Sequence, residues 1–244
     1  MNVGDFFAQL SYGELSDLKM GMEGAGTIAD QDRPRIVHHL NHALTQIYSR
    51  FAHKIDYVTI SLRADTTKYV LKPLDAAENQ DGDTIPVEGQ TQPGSYFVGA
   101  EPNNLIKILS VTLDDPDDDC DPVDLLINDL SSSMSVRTLD YRTILVQNPQ
   151  DGVLLDIEYQ AKHPRLSLPV EMSEEIDIAP VLETALEKLV SARVYSAMNG
   201  EANIAKALTL ESQYERICQM VADKDLLQLS SSDNHRKFSI GGFI

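Results

Sequence analysis

Apolar residues recur every three or four positions near the start of the chain, which is the period of an amphipathic helix. Phe6, Phe7 and Leu10 predict a short helix, and Leu15 and Leu18 extend it or begin a second one. The next helix is the clearest of this half. Asp30 or Asp32 can cap it, and Pro34 is tolerated in its first turn. Its predicted buried stripe consists of Ile36, Val37, Leu40, Leu44, Ile47, Tyr48 and Phe51.

The same period returns before the C-terminus. Asp177 is the expected cap of a helix with Pro180 in its first turn, and Asn199-Gly200 predicts a stop of the αL type. A second helix follows at once, so we expect two antiparallel neighbours. The first stripe is Ile178, Leu182, Ala185, Leu186 and Leu189, flanked by Val190 and Val194. The second is Ile204, Leu208, Leu210, Tyr214, Ile217 and Val221, with Cys218 on the same side.

The middle of the chain alternates apolar and polar residues, which predicts strands with one buried face. Three runs show this alternation: Val58, Ile60 and Leu62; Leu109, Val111 and Leu113; and Val153, Leu155, Ile157, Tyr159 and Ala161. Two long polar stretches lie between them, residues 75–96 and the aspartate-rich residues 114–122. Long loops of this kind are often functional or become ordered only on assembly.

The order helices, strands, helices predicts an α+β protein. We expect a discontinuous α-helical bundle built from both chain ends, an inserted antiparallel β domain and an extended C-terminal tail. The expected parts are residues 1–54 and 177–223 for the bundle, 55–176 for the β domain and 224–244 for the tail.

Charge and cysteine content limit the classes of function and the compartments that fit the chain. The formal net charge is -18, so most of the surface should repel nucleic acid, and a sequence-reading DNA-binding protein is disfavoured. Cys120 and Cys218 are isolated thiols, which suits a reducing compartment. The first residues include early acids and no basic region, so they do not indicate a signal peptide. We expect synthesis in a cytosol and no insertion into a membrane.

Candidate chemistry is sparse. His38 and His42 share a helix face at the spacing of a zinc protease, with His39 beside them, but no Glu lies between them to act as base. Residues 114–122 begin like a calcium loop, yet Pro122 and Asn128 stand where Gly and Glu are needed. Gly21, Gly24 and Gly26 follow a helix and do not form a nucleotide fingerprint. We therefore expect no cofactor, no metal and no enzymatic activity.

The end of the chain favours binding to a partner. A basic group is followed by apolar residues among Gly and Ser, a composition suited to anchoring in the pockets of another protein. A frayed terminus is the alternative. The candidate docking residues are His235, Arg236, Lys237, Phe238, Ile240, Phe243 and Ile244.

Five segments, in this order and spacing, resemble the head-to-tail adaptor (connector) proteins of short-tailed phages. They are GELSDL, ALTQIYSRF, NNLIKILSV, LDIEYQAKHP and EIDIAPVLETALEKLVSARVYSAMNGE, and the resemblance spans nearly the whole chain. It implies a structural virion protein in the phage neck: a ring of typically twelve subunits beneath the portal protein. Its C-terminal arm would dock into the portal, and its β region would face neighbouring subunits and the tail nozzle or tail tube. DNA would pass through the channel without specific binding. The chain has no Trp, whereas such arms are expected to end near one; Phe243 stands there instead.

Two other functions stay open at this point. A stopper or tail-completion protein would occupy another level of the same neck. A metal-dependent hydrolase would use the His38/His42 helix together with the acidic loop.

Overall fold

The computed structural model describes residues 1–18, 27–71, 104–114, 122–130, 132 and 135–227. Its helices and two sheets make this an α+β protein. The chain divides into two compact units: a helical unit of residues 1–53 and 165 onward, and a β unit of residues 54–164. The expected β domain extended to residue 176, but residues 165–176 group with the helices. These residues form no named strand, and several of their backbone hydrogen bonds go to the first residues of the chain.

The helical unit contains α1 (Val3–Tyr12), α2 (Arg33–Arg50), α3 (Pro180–Ser196) and α4 (Glu201–Asp223), with a short 3₁₀ helix at Ser16–Leu18. α3 packs against each of the other three helices. The predicted apolar stripes of α2 and α3 are buried, so both predictions are confirmed. The core of this unit therefore joins residues that lie more than 100 positions apart in the sequence.

Two helix ends differ from prediction. Asp32 precedes α2, but its side chain makes no capping hydrogen bond, and Asp30 instead pairs with Arg33 at 2.8 Å. The residue before α3 is Ala179 rather than Asp177, whose backbone carbonyl accepts a hydrogen bond from the Tyr48 hydroxyl. A short polar residue near a helix start caps it only if its oxygen can reach the free N–H groups of the first turn.

The turn between α3 and α4 lies where the sequence predicted, but its conformation is different. Gly200 has φ +117° and ψ 139°, outside the αL region, and it immediately precedes α4. An L-residue rarely adopts such a positive φ, which accounts for glycine at this position.

The N-terminus is bound to the segment that leads into α3. Val3 N donates to Glu174 O and Gly4 N donates to Met172 O, each at 2.9 Å, and Ile176 N donates to Met1 O at 2.8 Å. These backbone hydrogen bonds connect the two parts of the helical unit at its chain start.

The described residues of the β unit form two four-stranded sheets. The strands are β1 (Ile55–Ser61), β2 (Lys68–Val70), β3 (Leu105–Asp114), β4 (Val123–Asp124), β5 (Leu126–Ile127), β6 (Ser135–Asp140), β7 (Thr143–Val146) and β8 (Leu154–Ala161). The first sheet has the order β1–β8–β3–β4 and is antiparallel, whereas the second has the order β2–β7–β6–β5. β5 pairs with β6 in parallel, so the expectation of a wholly antiparallel domain is wrong for the second sheet.

One hydrophobic core joins the two sheets. The predicted alternation in β8 is confirmed, since every odd residue from Val153 to Ala161 is buried. β3 departs from its predicted alternation: Ile108 and Val111 are buried, while Leu109 is half-buried and pairs with no residue of β8. A β-bulge at Leu109 shifts the side-chain period by one position, which explains the difference.

Candidate functional site

The predicted docking residues and most of the predicted loops lie outside the described residues. This applies to residues 228–244, which include the whole docking set, to residues 75–96 and to residues 115–121. The docking set is His235, Arg236, Lys237, Phe238, Ile240, Phe243 and Ile244.

α4, which leads toward that arm, has an exposed apolar pair. Ile204 and Leu208 are one turn apart, and 50% and 62% of their surfaces are exposed. Their predicted place in the buried stripe is therefore wrong. The buried face is rotated away from them and consists of Ala207, Leu210, Tyr214, Cys218 and Val221. The pattern of α4 is ambiguous because apolar residues cover more of its circumference than the core uses.

The residues around Cys218 in α4 have a structural role. Its thiol is buried, and burial raises the pKa of Cys218. Burial also raises the pKa of the neighbouring Tyr214 to about 12. Arg50 pairs with Glu215 at 2.6 Å and lies 5.9 Å from the centre of the Tyr214 ring. A buried thiol with a raised pKa is a poor nucleophile, so this cluster joins α2 to α4 and does not suit covalent catalysis.

A second polar cluster holds the segment after α1 against α3 and α4. Lys188 pairs with Glu14 at 2.5 Å, and Lys206 pairs with Asp17 at 3.1 Å. The hydroxyl of Tyr195 donates to the backbone oxygen of Glu14 at 2.8 Å. The sequence pattern did not predict this cluster, because its members come from three separate segments and none of them follows an apolar period.

The three histidines of α2 come together as expected from their spacing. The ring centres of His38 and His42 are 4.6 Å apart, edge to face, and those of His38 and His39 are 5.8 Å apart. Among the described residues, no group of three or more His, Cys, Asp or Glu side chains could hold a metal ion. The observed contacts are between the rings themselves.

Burial and nearby arginines disfavour protonation of two of these histidines. Burial, then Arg35, His38, Arg193 and His42, lower the pKa of His39 to about 4. Burial, then His38, Arg193 and Arg165, lower the pKa of His42. Both imidazoles therefore resist taking up a proton, mainly because burial disfavours the charged form.

A pocket of about 360 Å³ opens beside these histidines, between α2 and residues 165–168. Two lining residues are bound to each other: Asn41 Nδ2 donates to Leu166 O, and Asn41 Oδ1 accepts from Leu166 N, each at 3.0 Å. Apolar side chains share the lining with the Arg165 guanidinium and the His38 imidazole, and none of the described lining residues is Asp or Glu. The lining includes Val37, His38, Asn41, Arg165, Leu166 and Leu168. Such a pocket is suited to an anionic group carried on a partly apolar ligand.

The outer face of the first sheet has the opposite character. Thr59 donates to Asp156 at 2.5 Å, Ser110 donates to Glu158 at 2.6 Å, and Thr112 donates to Asp124 at 3.2 Å. Tyr57, at 64% exposure, stands beside Glu158. Hydroxyl donors thus satisfy the carboxylates of this face, which is acidic and exposed.

No family model matches the chain, and no curated protein matches it. No helix in the described part of the chain combines the length and the apolar content that a bilayer crossing requires.

Proposed function

We propose that the chain is a non-enzymatic structural virion protein: a head-to-tail adaptor that forms a ring beneath the portal of a short-tailed phage. In this proposal the helices of both chain ends form a discontinuous bundle, and residues 224–244 extend as the docking arm. The ring has about twelve copies, contacts the tail nozzle or tube, and continues the DNA channel in the virion neck. The segment resemblance supports this class, and its members function as rings.

The observation that carries the assembly role is the exposed pair Ile204 and Leu208 on α4. About half of each side chain is still exposed, so burying both in an interface would contribute about 1 kcal/mol each. The pair lies on the helix that precedes the arm in the sequence. An exposed apolar pair on one face of a helix is suited to packing against a neighbouring subunit.

The net charge supports the channel role. A ring of many copies, each at -18, would create a strong negative field, which leaves passing DNA unbound. Many weak arm contacts around a single portal would add up by avidity.

The apolar pair can be tested by measuring particle mass. Leu208→Asp should leave the chain folded, because the side chain is exposed, and should prevent ring formation in the presence of portal. Gln213→Asp is the matched control, since it adds the same charge to an exposed position about 140° away around the helix. Native mass spectrometry reads the copy number. Normal rings with Leu208→Asp would contradict the role of this pair.

The arm is tested by deletion of residues 235–244. The shortened chain should keep its unfolding midpoint, since every described helix and strand lies upstream. It should lose most of its attachment to portal in co-sedimentation. Attachment at the full-length level would refute the docking arm. In assembled particles, cross-links from the arm to tail proteins alone would instead assign the chain to a stopper or tail-completion level.

A further inference from the structure

The pocket beside α2 is lined by a cation on an acidic chain. The sequence has 38 acidic and 20 basic residues, yet Arg165 lines this pocket together with His38. Two further arginines lie nearby, since Arg35 acts on His39 and Arg193 acts on both His39 and His42. This local reversal of charge is the opposite of what the average surface composition provides.

In the described part of the helical unit, no carboxylate forms an ion pair with the Arg165 guanidinium that lines the pocket. None of the ion pairs there includes Arg165 or His38. Other cations of the unit do have acidic partners, as Lys188 has Glu14 and Arg50 has Glu215. The positive charge of the pocket is therefore available to an anionic group from outside the helical unit.

The shape and lining of the pocket limit the class of ligand that it can bind. Val37, Leu166 and Leu168 give it apolar walls, and Leu168 is 54% exposed at its rim. The Arg165 guanidinium can bind a carboxylate through two parallel hydrogen bonds. A peptide in which acidic residues alternate with proline or other apolar groups would fill such a site. A nucleic acid would be repelled by the rest of the surface.

We propose that this pocket binds the carboxylates of the aspartate-rich segment, residues 114–122, of a second copy of this chain. The segment reads DDPDDDCDP, so it supplies six aspartates and two prolines in nine residues. A pocket on one copy and a segment on the next form a heterologous contact, which is the kind of contact that closes a ring. The choice of a second copy rests on the proposed ring function; the acidic-peptide chemistry rests on the pocket.

Binding can be measured without portal and without ring formation. The receiver is the full chain with its aspartates between 114 and 121 changed to asparagine, which removes competition from its own segment. The probe is a fluorescein-labelled peptide of residues 112–124 with serine in place of Cys120, followed by fluorescence anisotropy at low salt. We expect saturable binding that weakens with added salt, and no binding of the same peptide with asparagine in place of aspartate.

Two arginine variants separate the pocket from general electrostatics. Arg165→Gln should weaken binding about tenfold, as for a charge-assisted pair. Arg216→Gln changes the net charge equally at an exposed position of α4 and should leave binding unchanged. His38→Gln should weaken binding to a smaller extent. Equal unfolding midpoints for all variants would show that they fold.

Several results would overturn the proposal. Absence of peptide binding, or equal weakening by both arginine variants, would rule out the pocket as the receptor. Inorganic phosphate that binds the receiver while the peptide does not would assign the pocket to a different anion. Each of these results concerns the pocket alone, because failure of the ring proposal is detected separately: native mass spectrometry of the unaltered chain with portal would then show no ring.

Discussion

Asn41 and Leu166 make a reciprocal contact: the Asn41 side chain both donates to and accepts from the backbone of Leu166, each at 3.0 Å. The amide thus pairs with residue 166 as a neighbouring β-strand would. It secures the start of the segment that returns from the β unit onto α2. Leu166 itself is buried, so this backbone needs both partners.

Loss of this contact should destabilise the helical unit. Asn41→Ala leaves a buried N–H and C=O without their partner, and we expect a loss of about 2 kcal/mol. Urea denaturation followed by circular dichroism measures the change. Asn203→Ala is the control, since Asn203 makes one exposed hydrogen bond to Asn199 O and should cost less than about 1 kcal/mol. Equal effects of the two variants would contradict the role of Asn41.

His39 should make stability depend on pH. The folded protein lowers the pKa of His39 to about 4, from 6.5 in the unfolded chain, so the unfolded state binds more protons between these values. Stability is then fully present above pH 6.5 and falls as the pH drops through that window. Allowing for partial exposure, we expect a loss of about 1 kcal/mol between about pH 7.5 and about pH 5.5.

The comparison of wild type with His39→Gln isolates this effect. Glutamine cannot take up the proton, so the variant should lose about 1 kcal/mol less over the same range. Urea unfolding at each pH gives the two curves. Parallel curves for the two proteins would show that His39 is not the titrating group.

Lys188 should contribute more to stability than a typical surface cation. Lys188 and Glu14 are 18% and 25% exposed, and the pair holds the segment after α1 on α3. Lys188→Met leaves the carboxylate partly desolvated, and we expect a loss of about 1–2 kcal/mol. Asp30→Asn breaks the pair with Arg33, where Asp30 is 85% exposed, and should cost less than about 0.5 kcal/mol. A larger effect of Asp30→Asn in chemical denaturation would reverse this ranking.

Cys218 should resist modification in the folded protein. Its thiol is buried within α4, and burial raises its pKa, so the reactive thiolate is both rare and inaccessible. In a Cys120→Ser background we expect labelling by iodoacetamide to be at least about 100-fold slower than in urea. Mass spectrometry over time gives the rate. Rapid labelling without unfolding would mean that α4 opens locally at this position.

The sequence alone could predict elements whose buried face is set by one local period. The stripe of α2 and the alternation of β8 are such cases, since a full face of each packs on a core. The bulge at Leu109 could not be predicted, because it depends on the pairing of β3 with β8. The orientation of α4 was missed for a related reason: both Leu208 and Leu210 fit a helical stripe, and only tertiary packing selects Leu210.

The candidate site was predicted only in part. The spacing of His38 and His42 placed them together, and the structure agrees. Arg165 lies more than 120 positions away in the sequence, and it reaches the same pocket because Asn41 holds the neighbouring Leu166. The parallel pairing of β5 with β6 joins Leu126 to Ser135, close in the sequence, but the alternation of apolar and polar residues does not specify strand direction.

The β unit begins and ends on adjacent strands. Ala161 N donates to Lys54 O at 2.9 Å, and Ile55 pairs with Gln160. For the helical unit, the chain from residue 54 to residue 161 therefore acts as one loop whose ends already meet. The free energy of closing a loop changes by only about 2 kcal/mol for a tenfold change in its length. The helical unit could thus have kept its own fold while this insert was lengthened, shortened or exchanged.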